Sequence, residues 1–225
     1  MPTLRQLYDR LLAAYGPQGW WPLLEHAGTN PTKTGSITGY HPGEYNFPRT
    51  PTQQFEICVG AILTQNTAWP NVEQALRNLA CLDALSSDGL DRLDDETLRQ
   101  AIRPSGYFNA KTRKLREFVG HWRMWDERIP SRTELLAVWG IGSETADSIR
   151  LYAYGQAEMV IDAYTQRILT HLGLAAPKAS YDQLKASCIA GLPGDLVTYQ
   201  EFHALLVEHA KRHYRRRPWN DGLFD

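Results

Sequence analysis

Apolar side chains recur at helical spacing along almost the whole chain. Phe55, Cys58, Val59 and Ile62 follow the i, i+3, i+4, i+7 rule, as do Val72, Ala75, Leu76 and Leu79, and later Phe202, Leu205, Leu206 and His209. Such a stripe predicts an α-helix with one buried face. Residues 1–16 read as a further short amphipathic helix. Alternating, strand-type stretches are scarce, and turns marked by Pro70, Pro104-Ser105-Gly106 and Pro130-Ser131 separate the periodic segments. The pattern predicts an all-α protein. His26 to Gln53 stands apart: rich in Gly, Thr and Pro and nearly without period, it reads as a long surface loop, of the length often used for function.

Composition narrows the class. The chain has 225 residues, 43% hydrophobic and 22% charged, enough for one large domain or two small ones. Polar residues interrupt every apolar run well short of a membrane span, and the N-terminal segment lacks the features of a secretory signal. Cys58, Cys81 and Cys188 are widely spaced, which fits neither a disulfide framework nor a metal site. They are expected to be buried free thiols in a reducing cytoplasm.

Charge is balanced in sum but not in place. The formal net charge is −1, unlike the strongly basic character common among nucleic-acid binders. Six acids lie between Asp83 and Glu96, whereas Lys and Arg dominate from Arg103 to Arg132 and in the tail at Lys211, Arg212 and Arg215 to Arg217. Either solvated helix faces or a polarised binding surface would produce this segregation. His209 and His213 share a helix face, but the cations around them oppose a metal ion, so no metal is expected.

The most informative stretch begins at Glu134. A helical segment runs into Gly140-Ile141-Gly142 and restarts at Ser143. Two glycines let a backbone approach a partner closely, Ser143 suits an N-cap, and free N–H groups at a helix start attract a phosphate. Ala146, Ile149 and Ala153 supply the buried stripe of the second helix. Three apolar residues, Met159 to Ile161, then lead into Asp162 and another helix. By itself Asp162 is either a helix cap or a carboxylate placed for chemistry.

Taken together, residues 135–149 and 159–174 resemble the helix-hairpin-helix and catalytic-aspartate region of the endonuclease III superfamily of DNA base-excision glycosylases. Ile62 to Thr67 resembles that family's early barrel helix and DNA-inserting glutamine loop, Arg103 to Lys111 its Gly-aromatic-x-Asn-x-Lys turn, and Phe202 to Glu208 its last helix. The resemblance implies an all-α, two-lobed fold with DNA in the cleft between lobes. Residues 52–156 would form a six-helix barrel lobe containing the hairpin at about 131–154. Residues 1–51, with the insertion loop 26–53, and residues 157–225 would form the second lobe. It further implies Asp162 as the catalytic carboxylate, DNA contacts from Gln65, Asn66, Gly140, Ile141, Gly142, Ser143, Lys111, Arg215 and Arg216, and a place for a monovalent cation at the hairpin. The implied partner is double-stranded DNA with a damaged base, bound by a cytoplasmic, nucleoid-associated monomer without membrane contact.

Two departures from the family pattern bear on chemistry. Glu144 stands where strand-cleaving members carry their Schiff-base lysine, and a carboxylate forms no imine. Tyr214 stands where the first of four cluster-binding cysteines is expected, and the remaining tail is too short for the pattern, so an iron–sulfur cluster is expected to be absent. Trp20-Trp21-Pro22, the Arg103-Pro104-Ser105-Gly106-Tyr107-Phe108 run and Lys211 resemble the cluster-free 3-methyladenine DNA glycosylase III branch. Leu205 departs from a lysine of that branch.

The branch implies a base pocket from Trp20, Trp21, Pro22, Trp69 and Lys211. Its indoles would meet a cationic base through cation–π contacts worth about 0.5–2 kcal/mol. Asp162 would stabilise positive charge on the sugar and position water, without an imine. Two other readings stay open at this stage. One is a divergent endonuclease III acting on oxidised pyrimidines, with weak lyase activity from Lys211 or another amine. The other is a DNA-binding protein without catalysis, in which Asp162 is only a cap.

Overall fold

A computed structural model describes residues 2–34 and 38–224. Positions 35–37 of the expected loop lie outside the described residues. Eleven α-helices make up the regular structure among the described residues, with one isolated bridge between Thr29 and Thr38. The chain forms two compact units. One comprises residues 1–22, 27–45 and 156–225; the other comprises 23–26 and 46–155.

In the first unit, α1 (Leu4–Tyr15) starts in a capping box, with Thr3 Oγ1 accepting from the Gln6 N–H and Gln6 Oε1 accepting from the Thr3 N–H. Leu4, Leu7, Tyr8 and Leu11 form its buried face. Helix α9 (Ala163–His171) starts at Asp162, α10 (Tyr181–Gly191) at Ser180 and α11 (Leu196–His213) at Asp195. Each cap's side chain accepts from the N–H three residues on, a device worth about 1 kcal/mol. Helix α11 packs against α1 and α9 and is buried from Thr198 to Ala210. It is therefore the core of this unit rather than an amphipathic surface helix.

That burial is unusual because α11 is not wholly apolar. Glu201 accepts from the Gln18 N–H at 2.8 Å and the Tyr45 hydroxyl at 3.1 Å, and burial raises its pKa. Glu208 accepts from the Thr34 hydroxyl and, at 2.9 Å, from Arg212 Nε. The irregular segment 27–45 is thus tied to α11 through buried carboxylates, since a buried acceptor without a donor costs about 1–3 kcal/mol.

The second unit is built around α2 (Pro51–Leu63), buried from Phe55 to Leu63. Thr50 caps it and Pro51 opens it, so the preceding loop ends at Thr50 and not at Gln53. The other helices are α3 (Trp69–Cys81), α4 (Ser87–Arg92), α5 (Asp95–Ile102), α6 (Phe108–Trp125), α7 (Arg132–Ala137) and α8 (Ser143–Ser148). A 3-10 turn, Arg103–Ser105, follows α5, and a π-turn, Ile149–Ala153, continues α8 and packs on α2.

The segregated charges meet within this unit. Arg123 pairs with Asp88 and Asp91 at 2.9 Å, and Arg116 with Asp95 at 3.1 Å. Two arginines of the basic run therefore answer the acidic run locally, as the reading of solvated helix faces has it. Exposed pairs of this kind contribute at most about 1 kcal/mol each. The cysteine expectation also needs correction: Cys58 and Cys188 are buried, but Cys81, at the end of α3, is exposed.

Glu56 is the buried carboxylate of α2. Its Oε1 accepts from the Leu24 N–H at 2.7 Å, and burial raises its pKa from 4.5 to about 7. The folded state thus holds this proton more tightly than the unfolded chain, so the group's contribution to stability falls as pH rises from about 4.5 to 7. Glu56→Gln keeps the acceptor without the charge. It should be more stable than wild type at pH 8, by up to about 3 kcal/mol, and closely matched at pH 4.5. Urea unfolding at both pH values checks this; parallel pH profiles for the two proteins would refute it.

Candidate functional site

Residues of interest fall into two groups, one in each unit. The first is the hairpin of α7 and α8. Ser131 and Glu134 form a capping box at the start of α7, and Arg132 Nε meets the fully buried Asp147 at 2.7 Å, pinning α7 to α8. Between them Gly140 has φ +83°, a conformation that favours glycine, and a Cβ there would lie 2.6 Å from the Lys114 side chain. Gly142 has open space where a Cβ would be. Ile141 is buried between the two glycines and anchors the turn.

The N-cap of α8 is Gly142, without a side-chain hydrogen bond, and Ser143 is the first helical residue. This corrects the expectation that Ser143 is the cap: the backbone turns at the glycine, leaving serine inside the helix. No side-chain cap therefore covers the exposed start of α8. Ala146, Ile149 and Ala153 are buried as their spacing predicts. Glu144 lies exposed in the first turn.

Gln65 follows α2 and docks on this hairpin. Its Nε2 donates to Gly140 O at 3.1 Å and to Thr145 Oγ1 at 3.0 Å, while Lys114 Nζ donates to its Oε1. Asn66 is exposed in the left-handed region, at φ 54°. Trp69, half-buried, opens α3.

Lys111 is not at the surface. It is 2% exposed, and its ammonium donates to Leu63 O at 2.7 Å, Thr67 Oγ1 at 2.8 Å and Ser105 O at 2.7 Å. Leu63 ends α2 and Ser105 ends the 3-10 turn, so one cation satisfies the carbonyl ends of both. Burial lowers its pKa to about 8. The expected phosphate contact is thus a structural strut. Lys114, one turn on, is the lysine that reaches the hairpin, and sequence reasoning missed it; its spacing of three from Lys111 was the available signal.

The second group surrounds Asp162. Its Oδ1 accepts from the Thr165 N–H at 2.6 Å, capping α9, and its Oδ2 lies 3.9 Å from His203 Nε2. The carboxylate is therefore a cap and also faces a second buried group. His203 stands on α11, and burial lowers its pKa, partly offset by Asp162. The Trp20 ring meets the His203 ring edge-on at 5.6 Å between centroids, and Lys211 Nζ lies 5.8 Å from the Trp20 ring centre. Burial also lowers the Lys211 pKa.

Sequence reasoning placed Asp162, Trp20 and Lys211 in a site but overlooked His203. The signal was there: a polar residue among the apolar positions of the last helix, in register with Lys211 two turns later. Trp21 and Pro22 are buried, Trp21 meeting Trp20 edge-on at 6.1 Å. Leu205 is fully buried among the core residues of α11.

Residues 59–193 match the family described as the HhH-GPD superfamily base excision DNA repair protein. The chain belongs to this superfamily. A candidate DNA repair glycosylase of Methanocaldococcus jannaschii is 36% identical over 96% of this chain and 91% of its own length. The structure of H. pylori 3-methyladenine DNA glycosylase bound to 1,N6-ethenoadenine superposes with a TM-score of 0.66, at 26% identity, covering 93% of this chain and 94% of that one. A trapped endonuclease III–DNA covalent intermediate shares the fold, with a TM-score of 0.74 at 16% identity over 96% and 90% of the two chains.

The C-terminal tail, where the resemblance would place a cluster, carries no cysteine. Tyr214 is buried, with its ring 5.4 Å from Trp219 and 5.3 Å from His171, and its hydroxyl donates to Asp221. Asp221 also lies 3.1 Å from His209 Nε2, and Tyr15 meets His209 Nδ1 at 2.9 Å. An aromatic and polar cluster thus closes the tail. The three cysteines stand at 58, 81 and 188, outside it. Arg215 and Arg216 are exposed.

Lys111→Met should destabilise the fold by roughly 2–4 kcal/mol, because it strands two helix-end carbonyls in the interior. Chemical denaturation measures this. If DNA binding is followed as well, the slope of log K against log salt should stay unchanged; a loss of about one unit would restore Lys111 as a phosphate contact.

Proposed function

We propose that this DNA repair glycosylase removes an alkylated purine, of the 3-methyladenine type, from duplex DNA by hydrolysis and without cleaving the strand. The observation carrying the proposal is the Asp162 cluster. A nearly buried carboxylate is held by its own helix start, with an imidazole and a half-buried indole on the same group of side chains. Such a carboxylate stabilises the oxocarbenium character that grows on the sugar as the C1′–N bond breaks. Water then supplies the new C1′–O bond and gives up its proton, with Asp162 orienting it or accepting the proton. A cationic alkylpurine leaves neutral, taking the bond's electron pair and needing no general acid.

Trp20 supports the choice of base, since an indole favours a cationic ring. The likeness to a 3-methyladenine DNA glycosylase bound to a modified adenine supports it too. Gln65 and Asn66 are proposed to fill the gap left by the extruded base, a displacement that costs a few kcal/mol. Gln65 must leave its hydrogen bonds to the hairpin to do so. Gly140, Ile141, Gly142 and Ser143, with Arg215 and Arg216, are proposed to contact phosphates. Lys114 takes the place first given to Lys111. Glu144 at the lysine position supports hydrolysis without an imine.

One observation favours a second reading. Burial lowers the pKa of Lys211, which increases its fraction of free amine. That is the state a Schiff-base nucleophile needs, and it would suit a lyase acting on oxidised pyrimidines.

Duplexes bearing one 3-methyladenine-type lesion or one thymine glycol separate the readings. The first should be excised, with strand breaks appearing only after alkali. Borohydride should trap no covalent complex with wild type; trapping that disappears in Lys211→Gln would establish the lyase instead. Asp162→Asn should lower excision by about 10²–10³-fold, and full activity in that variant would leave Asp162 as a helix cap only.

A further inference from the structure

The two carboxylate oxygens of Asp162 are not equivalent. Oδ1 accepts from the Thr165 N–H at 2.6 Å and is committed to the start of α9. Oδ2 is the oxygen left to meet a sugar or a water, and His203 Nε2 stands 3.9 Å from it. A single hydrogen bond does not fix a carboxylate, because rotation about Cβ–Cγ is broad and Oδ2 can swing about the bonded oxygen. A second contact is needed to set the plane of the group. The setting matters, since a displacement of about 1 Å at a reacting group costs on the order of 10²-fold in rate.

His203 stands where such a contact must come from. Helix α9, which Asp162 caps, packs on α11, which carries His203, so the spacing of the two groups is set by helices and not by a loop. The imidazole is 5% exposed, and the Trp20 ring bounds it edge-on at an interplanar angle of 86°. Its neighbours along α11, Phe202, Ala204, Leu205 and Leu206, are apolar and fully buried. A polar ring in that stretch loses its water on folding, a cost that polar partners must offset. Asp162 opposes the lowering of the His203 pKa by burial, as attraction between the two groups requires. At 3.9 Å that attraction falls short of a full hydrogen bond, for which about 3 Å is usual. Contacts of this length in an empty site commonly tighten once substrate is bound.

We propose that His203 is the positioning residue of Asp162, its Nε2–H drawing Oδ2 into the plane from which the carboxylate meets C1′ and the attacking water. The assignment rests on the glycosylase reading and adds to it the group that aims the carboxylate. His203 acts through Asp162 and not on the substrate directly.

Two substitutions in the full-length protein separate aiming from packing. His203→Gln places an amide N–H near the position of Nε2. His203→Phe keeps a ring against Trp20 but carries no donor, and His203→Met serves as a second donor-free variant that adapts to the space. Each is made alone and together with Asp162→Asn, and thermal unfolding shows which variants are folded at the assay temperature. Excision of a 3-methyladenine-type base is followed in single turnover. Affinity is measured on a duplex carrying an uncleavable abasic-site analogue.

The donor-free variants should slow excision by about 10- to 100-fold while their affinity for the analogue duplex stays within about twofold of wild type. His203→Gln should recover most of the lost rate. Once Asp162 is replaced, the same substitutions should cost nothing further, because the residue that His203 aims is gone. Full activity in the donor-free variants, an equal loss in His203→Gln, or an undiminished loss in the Asp162→Asn background overturns the assignment and leaves the glycosylase reading standing. Wild type that excises neither this base nor thymine glycol would sink that reading, and this assignment with it.

Discussion

Much of the first unit depends on one constraint: α11 is buried along most of its length, yet it carries ionisable groups inward. Each needs a partner, because the interior offers no water to replace one. Glu201 draws in the backbone at Gln18 and the Tyr45 hydroxyl, and Glu208 draws in Thr34. His209 holds Asp221 and with it the tail, while His203 faces Asp162. The irregular segments are thereby fixed without regular structure of their own. The same helix brings Trp20, Asp162 and Lys211 into one group of side chains. Exchanging its buried polar residues for apolar ones would remove the reason these segments lie where they do.

The second unit solves a related problem with a cation. Helices end in carbonyls that need donors, and α2 ends in the interior beside the 3-10 turn. Lys111 serves both ends, and Thr67 completes its coordination. The hairpin then rests on α2 through the π-turn and on Lys114 through Gln65 and Gly140. Arg132 and Asp147 set the relation of its two helices. The protein thereby presents a glycine turn and an uncapped helix start on a rigid base, as suits contact with a backbone phosphate.

Much of this was legible in the chain. Apolar spacing identified the helices at Phe55, Val72 and Phe202, and the two glycines around Ile141 identified the hairpin. The resemblance placed the chain in the superfamily to which it belongs. Residue roles were less secure wherever side-chain direction mattered. Lys111 and Lys114 are both lysines on α6, and only packing shows that the first points inward and the second toward the hairpin. The acidic and basic runs left solvated faces and a polarised surface both open, and only the fold shows Arg116 and Arg123 of α6 paired with acids of α4 and α5. His203 carried a weak signal, a polar residue in an apolar stripe, which becomes informative only once Asp162 is seen opposite.

By itself the sequence determined several of the helices, the hairpin turn and the superfamily, because periodicity and turn chemistry act over a few residues. Through the resemblance it also raised the expectation that Glu144 and Tyr214 stand where other members carry a lysine and a cysteine. Tertiary structure alone decided which cations are struts and which are free to meet a partner. It also decided which residue faces Asp162 and how the tail is closed around Tyr214 and Asp221. Those outcomes depend on burial and on distances of a few ångströms between residues far apart in the chain. The cost of leaving a charge or a carbonyl unpaired is settled there, and local sequence does not encode it in readable form.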